Sequence, residues 1–169
     1  MSASSAAVEP ALSEDDLRWL RRAIELSAVG RARGNRPFGA VVVGADGRVL
    51  GEAFCDTTET RDCTGHAETN VVRRVSPAHS REALAGATLY SSAEPCVMCA
   101  GAIFWSNIRR VVYGIDAVAL RTFRGERDDQ RDAALSCRDV FDASAHPIEV
   151  HGPVLGEEAA RPHEGFWRR

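Results

Sequence analysis

Apolar residues recur at three- and four-residue steps through Leu17, Leu20, Ile24 and Ala28, with Ala23 beside them, and this spacing predicts an amphipathic helix. Ser13, followed by Glu14, Asp15 and Asp16, supplies its cap and acidic first turn, and Gly34 marks its end. The pattern then changes. Residues 38–43 read as a buried strand, Ala45-Asp46-Gly47 as a tight turn and residues 49–54 as the hairpin partner. A polar loop over 56–65 leads into a helix that starts around His66. A third strand is expected at 87–91, a helix at 96–105 and a fourth strand at 110–113. Residues 114–126 read as a loop carrying Arg121 and Arg124. A polar helix over about 128–142 precedes a fifth strand at 147–151, and residues 157–167 read as a short C-terminal helix ending in Phe166-Trp167. Strands interleaved with helices indicate an α/β fold, and no internal repeat is visible.

At 169 residues the chain is long enough for one domain with a proper core, expected over 13–169, after a Ser/Ala-rich segment, 1–12, expected to be disordered. A hydrophobic share of 44% and a charged share of 27% are ordinary globular values. The net charge of −3 gives no general drive toward nucleic acid. All 21 basic residues are arginine, from which nothing mechanistic follows. The five cysteines are odd in number, and the first residues lack the basic and apolar regions of a secretion signal. No stretch is long enough to span a membrane. The expectation is a cytoplasmic protein whose thiols are reduced or metal-bound.

Candidate chemistry concentrates in two places. His66-Ala67-Glu68 is followed by Pro95-Cys96-Val97-Met98-Cys99. Cys96 and Cys99, three apart, share one face at the start of a helix, where the dipole favours thiolates, with Pro95 suited to the first helical position. His66 and Glu68 converge on a metal only if it lies just beyond a helix start. Two thiolates and an imidazole suit Zn2+, and a carboxylate not needed as a fourth ligand points to an open, catalytic site in which Glu68 shuttles protons. Two other readings stay open on these residues. Cys96-x-x-Cys99 is the spacing of a redox pair, and Cys63-x-x-His66 with Cys96-x-x-Cys99 is a plausible closed structural zinc site.

Pro37-Phe38-Gly39-Ala40-Val41, His66-Ala67-Glu68 and the block from Glu94-Pro95-Cys96 through Cys99-Ala100-Gly101-Ala102-Ile103 resemble the cytidine-deaminase-like superfamily. The branch resembled holds guanine deaminases, yeast-type cytosine deaminases and bacterial tRNA adenosine deaminases. H-x-E with P-C-x-x-C is the signature of zinc-dependent base deaminases. The resemblance covers about residues 17–114. It implies a three-layer α/β/α sandwich around a five-stranded mixed sheet, and a homodimer. It also implies Zn2+ held by His66, Cys96 and Cys99, Glu68 as the catalytic acid–base, and hydrolytic loss of ammonia from an amino-substituted nucleobase or nucleoside. Candidate pocket residues are Phe38, Ala40, Cys55, Asp56, Trp105, Phe166 and Trp167. Position 55, where the branch usually carries an Asn that bonds the base, is a cysteine here, which moves the expected recognition to Asp56 as an acceptor of N–H groups. The tail Glu164-Gly165-Phe166-Trp167 resembles the closing segment of guanine-deaminase-like proteins and favours a guanine-like purine. The region after the fourth strand lacks the basic, Gly/Ser-rich stretch of the tRNA enzymes. A small molecule is therefore expected over a tRNA anticodon, which the arginines at 109, 110, 121, 124, 168 and 169 leave open.

Overall fold

The computed structural model describes residues 12–125 and 134–167. The segment expected to be disordered lies outside them except for Leu12, as do residues 128–133 of the helix expected over about 128–142. Helix α1 (Glu14–Ala32) opens with a reciprocal capping box, in which the Asp16 amide donates to Ser13 Oγ and the Ser13 amide to Asp16 Oδ2. Its buried stripe runs through Asp16, Leu20, Ala23, Leu26, Ser27 and Gly30, and Ala28 of the expected apolar face is exposed. Close approach explains the rotation. A Cβ built on Gly39, in strand β1 (Gly39–Val43), would stand 2.2 Å from the Ala23 carbonyl oxygen and 2.6 Å from the Ser27 nitrogen. The small residues of α1 lie directly on the strand, which turns Ala28 outward and leaves Ile24 half-buried at the flank of the core.

Strand β1 pairs antiparallel with β2 (Val49–Phe54) on one side and β3 (Thr88–Ala93) on the other. Strand β3 runs parallel to β4 (Arg110–Ile115), and β4 to β5 (Glu149–His151). The order β2-β1-β3-β4-β5 is the five-stranded mixed sheet. Between strands lie a short α2 (Thr57–Thr60) within the expected loop, α3 (Ala67–Val75), an unexpected α4 (Arg81–Ala85) and α5 (Val97–Ser106). Alternation along the strands divides the core in two. Ala40, Val42, Leu89 and Val111 pack with α3 and α5 on one face, while Val41, Val43, Tyr90 and Val112 pack with α1 on the other. The result is a three-layer α/β/α sandwich.

Two segments differ from expectation. Residues 117–124, within the expected loop, form α6 (Ala117–Arg124), which Asp116 caps by accepting from the Ala119 amide; Leu120 is buried with Ala119 and Phe123 packed beside it, so the helix carries only a short apolar stripe. Helix α7 (Cys137–Asp142) starts at the Ser136 cap. The expected C-terminal helix is broken into α8 (Gly156–Ala160), a single 3-10 turn at Arg161–His163 and turns to Trp167, with Pro162 in the breaking turn. Among the described residues no helix is long and apolar enough to cross a membrane.

At the amino end of α1, buried Asp16 takes the Arg110 guanidinium at 2.6 and 3.2 Å and the Tyr90 hydroxyl at 2.7 Å. Burial pushes the Asp16 carboxyl up, but Arg110, the Ser13 amide and Tyr90 together hold it well below the usual carboxylate range. Its folded pKa is therefore below the unfolded value of 3.8, so its stabilisation is full above that pH and is lost on acidification. Asp16→Asn should cost about 3 kcal/mol at pH 7, leaving Arg110 without its partner, and progressively less below pH 4. Urea unfolding of both proteins across pH 3–7 measures this.

Candidate metal centre and substrate pocket

His66 and Cys96 are the N-cap residues of α3 and α5, and neither side chain makes a capping hydrogen bond. An N-cap side chain ordinarily satisfies an amide of the first turn. Both are instead directed at a common point, joined by Cys99 from the first turn of α5. Pro95 therefore precedes the cap and does not occupy the first helical position. His66 Nδ1 lies 3.5 Å from each sulfur, and the sulfurs are 3.6 Å apart. A tetrahedral zinc with ordinary bond lengths separates two sulfurs by about 3.8 Å and sulfur from nitrogen by about 3.6 Å. The donor set and its spacing therefore fit Zn2+ with one position left over. Cys63 is exposed and is not in the cluster, so the closed four-ligand reading fails.

The thiols share their protons unequally. The bond from Cys99 holds Cys96 well below the ordinary thiol range against its burial, with His66 adding to the effect, while Cys99 is pushed up by its bond to Cys96 and by burial. A dication at this point favours both as thiolates. Beside them Glu68, in the first turn of α3, is 4% exposed. Its Oε1 accepts from Ser91 Oγ at 2.7 Å, and its Oε2 lies 3.4 Å from Cys99 Sγ. Burial, then the charge on Cys96, raises its pKa. Ser91 was not anticipated as part of the site. Its signal was a hydroxyl inside an apolar strand, which in a buried position needs a partner.

A cavity of about 240 Å³ opens onto His66, Glu68 and Cys96 and is walled by Phe38, Val97, Leu135 and Trp167. Phe38 and Trp167 meet at 6.2 Å between ring centres, tilted by 54°, and make one continuous wall. Trp167 is held from behind, stacked on buried His163 and donating from Nε1 to His163 Nδ1 at 3.2 Å. Burial, with Arg124 and Arg31 nearby, lowers His163 to about 3, so the ring is neutral. Arg31 donates to the carbonyls of Pro162 and Glu164 and fastens the tail to α1. Glu94 closes another side, taking the Ala117 amide on Oε2 and Ser136 Oγ and the Cys137 amide on Oε1. It thereby ties the starts of α6 and α7 to the metal loop.

The remaining expected pocket residues lie elsewhere. Ala40 is buried in the core face of β1. Cys55 is 1% exposed with its sulfur 3.4 Å from Thr57 Oγ1. Asp56 does not present its carboxylate to the cavity, because Oδ1 accepts from Asn70 Nδ2 at 2.8 Å, and that amide also reaches the carbonyls of Phe54 and Gly65. This buckle fixes the loop that delivers His66. Trp105 is 77% exposed and lines a separate cleft with Phe104, Arg109 and Ile148. Phe166 packs edge-on against Trp167 and under Arg31, behind the wall.

A three-layer α/β/α sandwich carrying a His-Cys-Cys metal site at the starts of two adjacent helices, with a buried carboxylate alongside, defines a zinc-dependent hydrolytic deaminase of nucleobases or nucleosides. The chain belongs to the cytidine and deoxycytidylate deaminase family, whose zinc-binding region matches residues 13–115. It is 41% identical over 156 residues, 92% of this chain and 94% of the relative, to a probable cytosine deaminase of Schizosaccharomyces pombe. It is 33% identical to a tRNA-specific adenosine deaminase of Haemophilus influenzae, over 93% and 86% of the two chains. The X-ray structure of guanine deaminase from Bacillus subtilis matches with a TM-score of 0.58 at 35% identity, over 63% of this chain and 68% of that one.

Cys63→Ser should retain a full complement of zinc and an unchanged melting temperature, whereas Cys96→Ser should lose the metal. Elemental analysis after desalting, with a zinc edge spectrum counting two sulfur ligands in the parent, tests both.

Proposed function

We propose that the protein deaminates a free amino-purine of guanine type, within the class of nucleobase and nucleoside deaminases to which it belongs. The observation that carries this reading is the tail wall. Trp167 and Phe38 close a cavity of about 240 Å³ directly beside the metal donors, a compartment suited to one flat heterocycle. Zinc, when bound, supplies the Lewis acidity that makes water a nucleophile near neutral pH. Ser91 fixes Glu68 through Oε1, and Oε2, which accepts from the Cys99 thiol at 3.4 Å, would be released to take the proton of the attacking water once Cys99 is a thiolate metal ligand. Glu68 then returns it to the ring nitrogen and passes the second proton to the departing amine. The overall change is an amine plus water giving a carbonyl plus ammonia. The full-length similarity to a probable cytosine deaminase supports a second reading, with cytosine as the base. The similarity to a tRNA-specific adenosine deaminase supports a third, with a tRNA anticodon as substrate.

Glu68→Gln should keep its zinc and lose turnover by at least about 10²–10⁴-fold. An ammonia-release screen over guanine, cytosine, adenine, their nucleosides and an anticodon stem-loop tests the choice of substrate. Activity on the stem-loop alone would overturn the free-base reading.

We also propose a homodimer that covers the cleft at the end of α5. Trp105 and Phe104 stand edge-to-face there beside Ile148, an aromatic surface of the kind found at protein interfaces. Trp105→Ala should sediment as a monomer where the parent sediments as a dimer. A monomeric parent would refute this.

A further inference from the structure

The polar groups that line the cavity can be sorted by what already occupies them. His66 and Cys96 are metal donors. Glu68 accepts from Ser91, and Glu94 has both oxygens filled by Ala117, Ser136 and Cys137. Arg124 lies with its guanidinium 5.5 Å from the Trp167 ring centre and forms part of the wall. Asp56 and Cys55, the expected recognition groups, are turned to Asn70 and Thr57. Arg36 remains. It lines the same cavity as His66 and Glu68, and among the described residues its guanidinium has no hydrogen bond or ion pair.

The neighbouring arginines make the contrast plain. Arg31 holds the tail carbonyls, and Arg33 pairs with Glu59. Arg36 differs from both in lining the cavity itself. Its backbone is firmly mounted. Asn35, fully buried, donates to Glu59 Oε2 and accepts the Glu59 amide, Pro37 is buried, and the Arg36 carbonyl accepts from the Phe38 amide at 2.9 Å. An exposed cation on so rigid a base starts from a fixed point beside the cavity. It loses less freedom on meeting a ligand than one on a mobile loop.

From this placement we propose that Arg36 is the specificity-determining residue of the pocket and donates to a ring carbonyl, with its adjacent ring nitrogen, on the edge of the base away from the reacting amine. The guanidinium offers only donors, in a planar fork that matches two neighbouring acceptors. The substrate class is therefore an oxo-substituted amino-heterocycle. An edge rich in N–H groups, which Asp56 would have read, is disfavoured because a second donor then faces the fork. The inference rests on the deaminase reading of the same site and narrows it.

The test compares two substrates that keep the reacting amine: guanine, whose O6 and N7 offer the two neighbouring acceptors, and 2-aminopurine, which lacks O6 and the N1 proton. In Arg36→Ala the ratio of kcat/KM for the oxo over the deoxo member should fall by about 10- to 100-fold, the range of a well-made bidentate pair. The rate on 2-aminopurine, which keeps only the ring nitrogen of the pair, should fall by less than the rate on guanine, and the zinc content should stay as in the parent. Arg36→Lys, which keeps the charge without the fork, should recover only part of the ratio. An unchanged ratio, or an equal loss on both members, overturns the proposal. So does a variant whose loss is confined to nucleoside 5′-monophosphates over nucleosides, since the cation would then serve a phosphate. Should the parent release no ammonia from any of these compounds, the substrate reading fails separately. Arg36 is then judged by calorimetric binding of xanthine, which keeps the carbonyl and its neighbouring acceptor nitrogen: tighter binding by the parent than by Arg36→Ala supports it, and equal or absent binding ends it.

Discussion

Two thiolates and an imidazole must be held within about 3.6 Å of one another without a covalent link between them, and most of this molecule answers that demand. The donors come from two helices whose first residues abut above one end of the sheet. Each helix is fixed by apolar contact on its far side, α3 through Val71 and Val75 and α5 through Ala100 and Ile103. Like partial charges at the two helix starts repel, and only an anionic ligand set between them makes the juxtaposition favourable. Packing sets the position and the donors supply the charge.

Around that centre the pocket is assembled from chain far away in sequence. One wall comes from the end of the chain, carried on a neutral histidine and two carbonyls held by Arg31. Another comes from α6 and α7, gathered onto the Glu94 carboxylate two residues before a metal donor. The metal donors and the cavity walls thus share anchors while drawing on different segments. Loops and tails can shape a substrate space over a scaffold that keeps its chemistry.

What was legible in the sequence was local. The β1–β2 hairpin announces itself through an apolar run, an Asp-Gly turn and a second run, and both strands lie where the pattern places them. The metal donors are legible because their chemistry leaves little else for them to do. The pocket was less so. Asp56 looked available because Asn70, which occupies it, lies a helical turn beyond His66 and reaches it only once α3 is docked. Trp105 looked like a stacking residue because it follows the metal block, yet helix geometry turns it to the far side. Helix α6 is only two turns long, and its apolar stripe of Ala119, Leu120 and Phe123 with the Asp116 cap is a short signal inside a stretch rich in arginine. Arg36 was invisible for the opposite reason, since an exposed arginine has no pattern until its surroundings are known.

The tail has a consequence of a different kind. From residue 161 to 167 it is fastened by aromatic faces, by the Trp167-to-His163 bond and by Arg31 on backbone carbonyls. None of these is a pair of opposite formal charges. Ionic strength, which loosens exposed ion pairs such as Arg33 with Glu59, has little hold on such a fastening, and an imidazole that stays neutral down to about pH 3 gives mild acid no lever either. The wall beside the metal donors is therefore buffered against the two solution variables that most readily open surface loops.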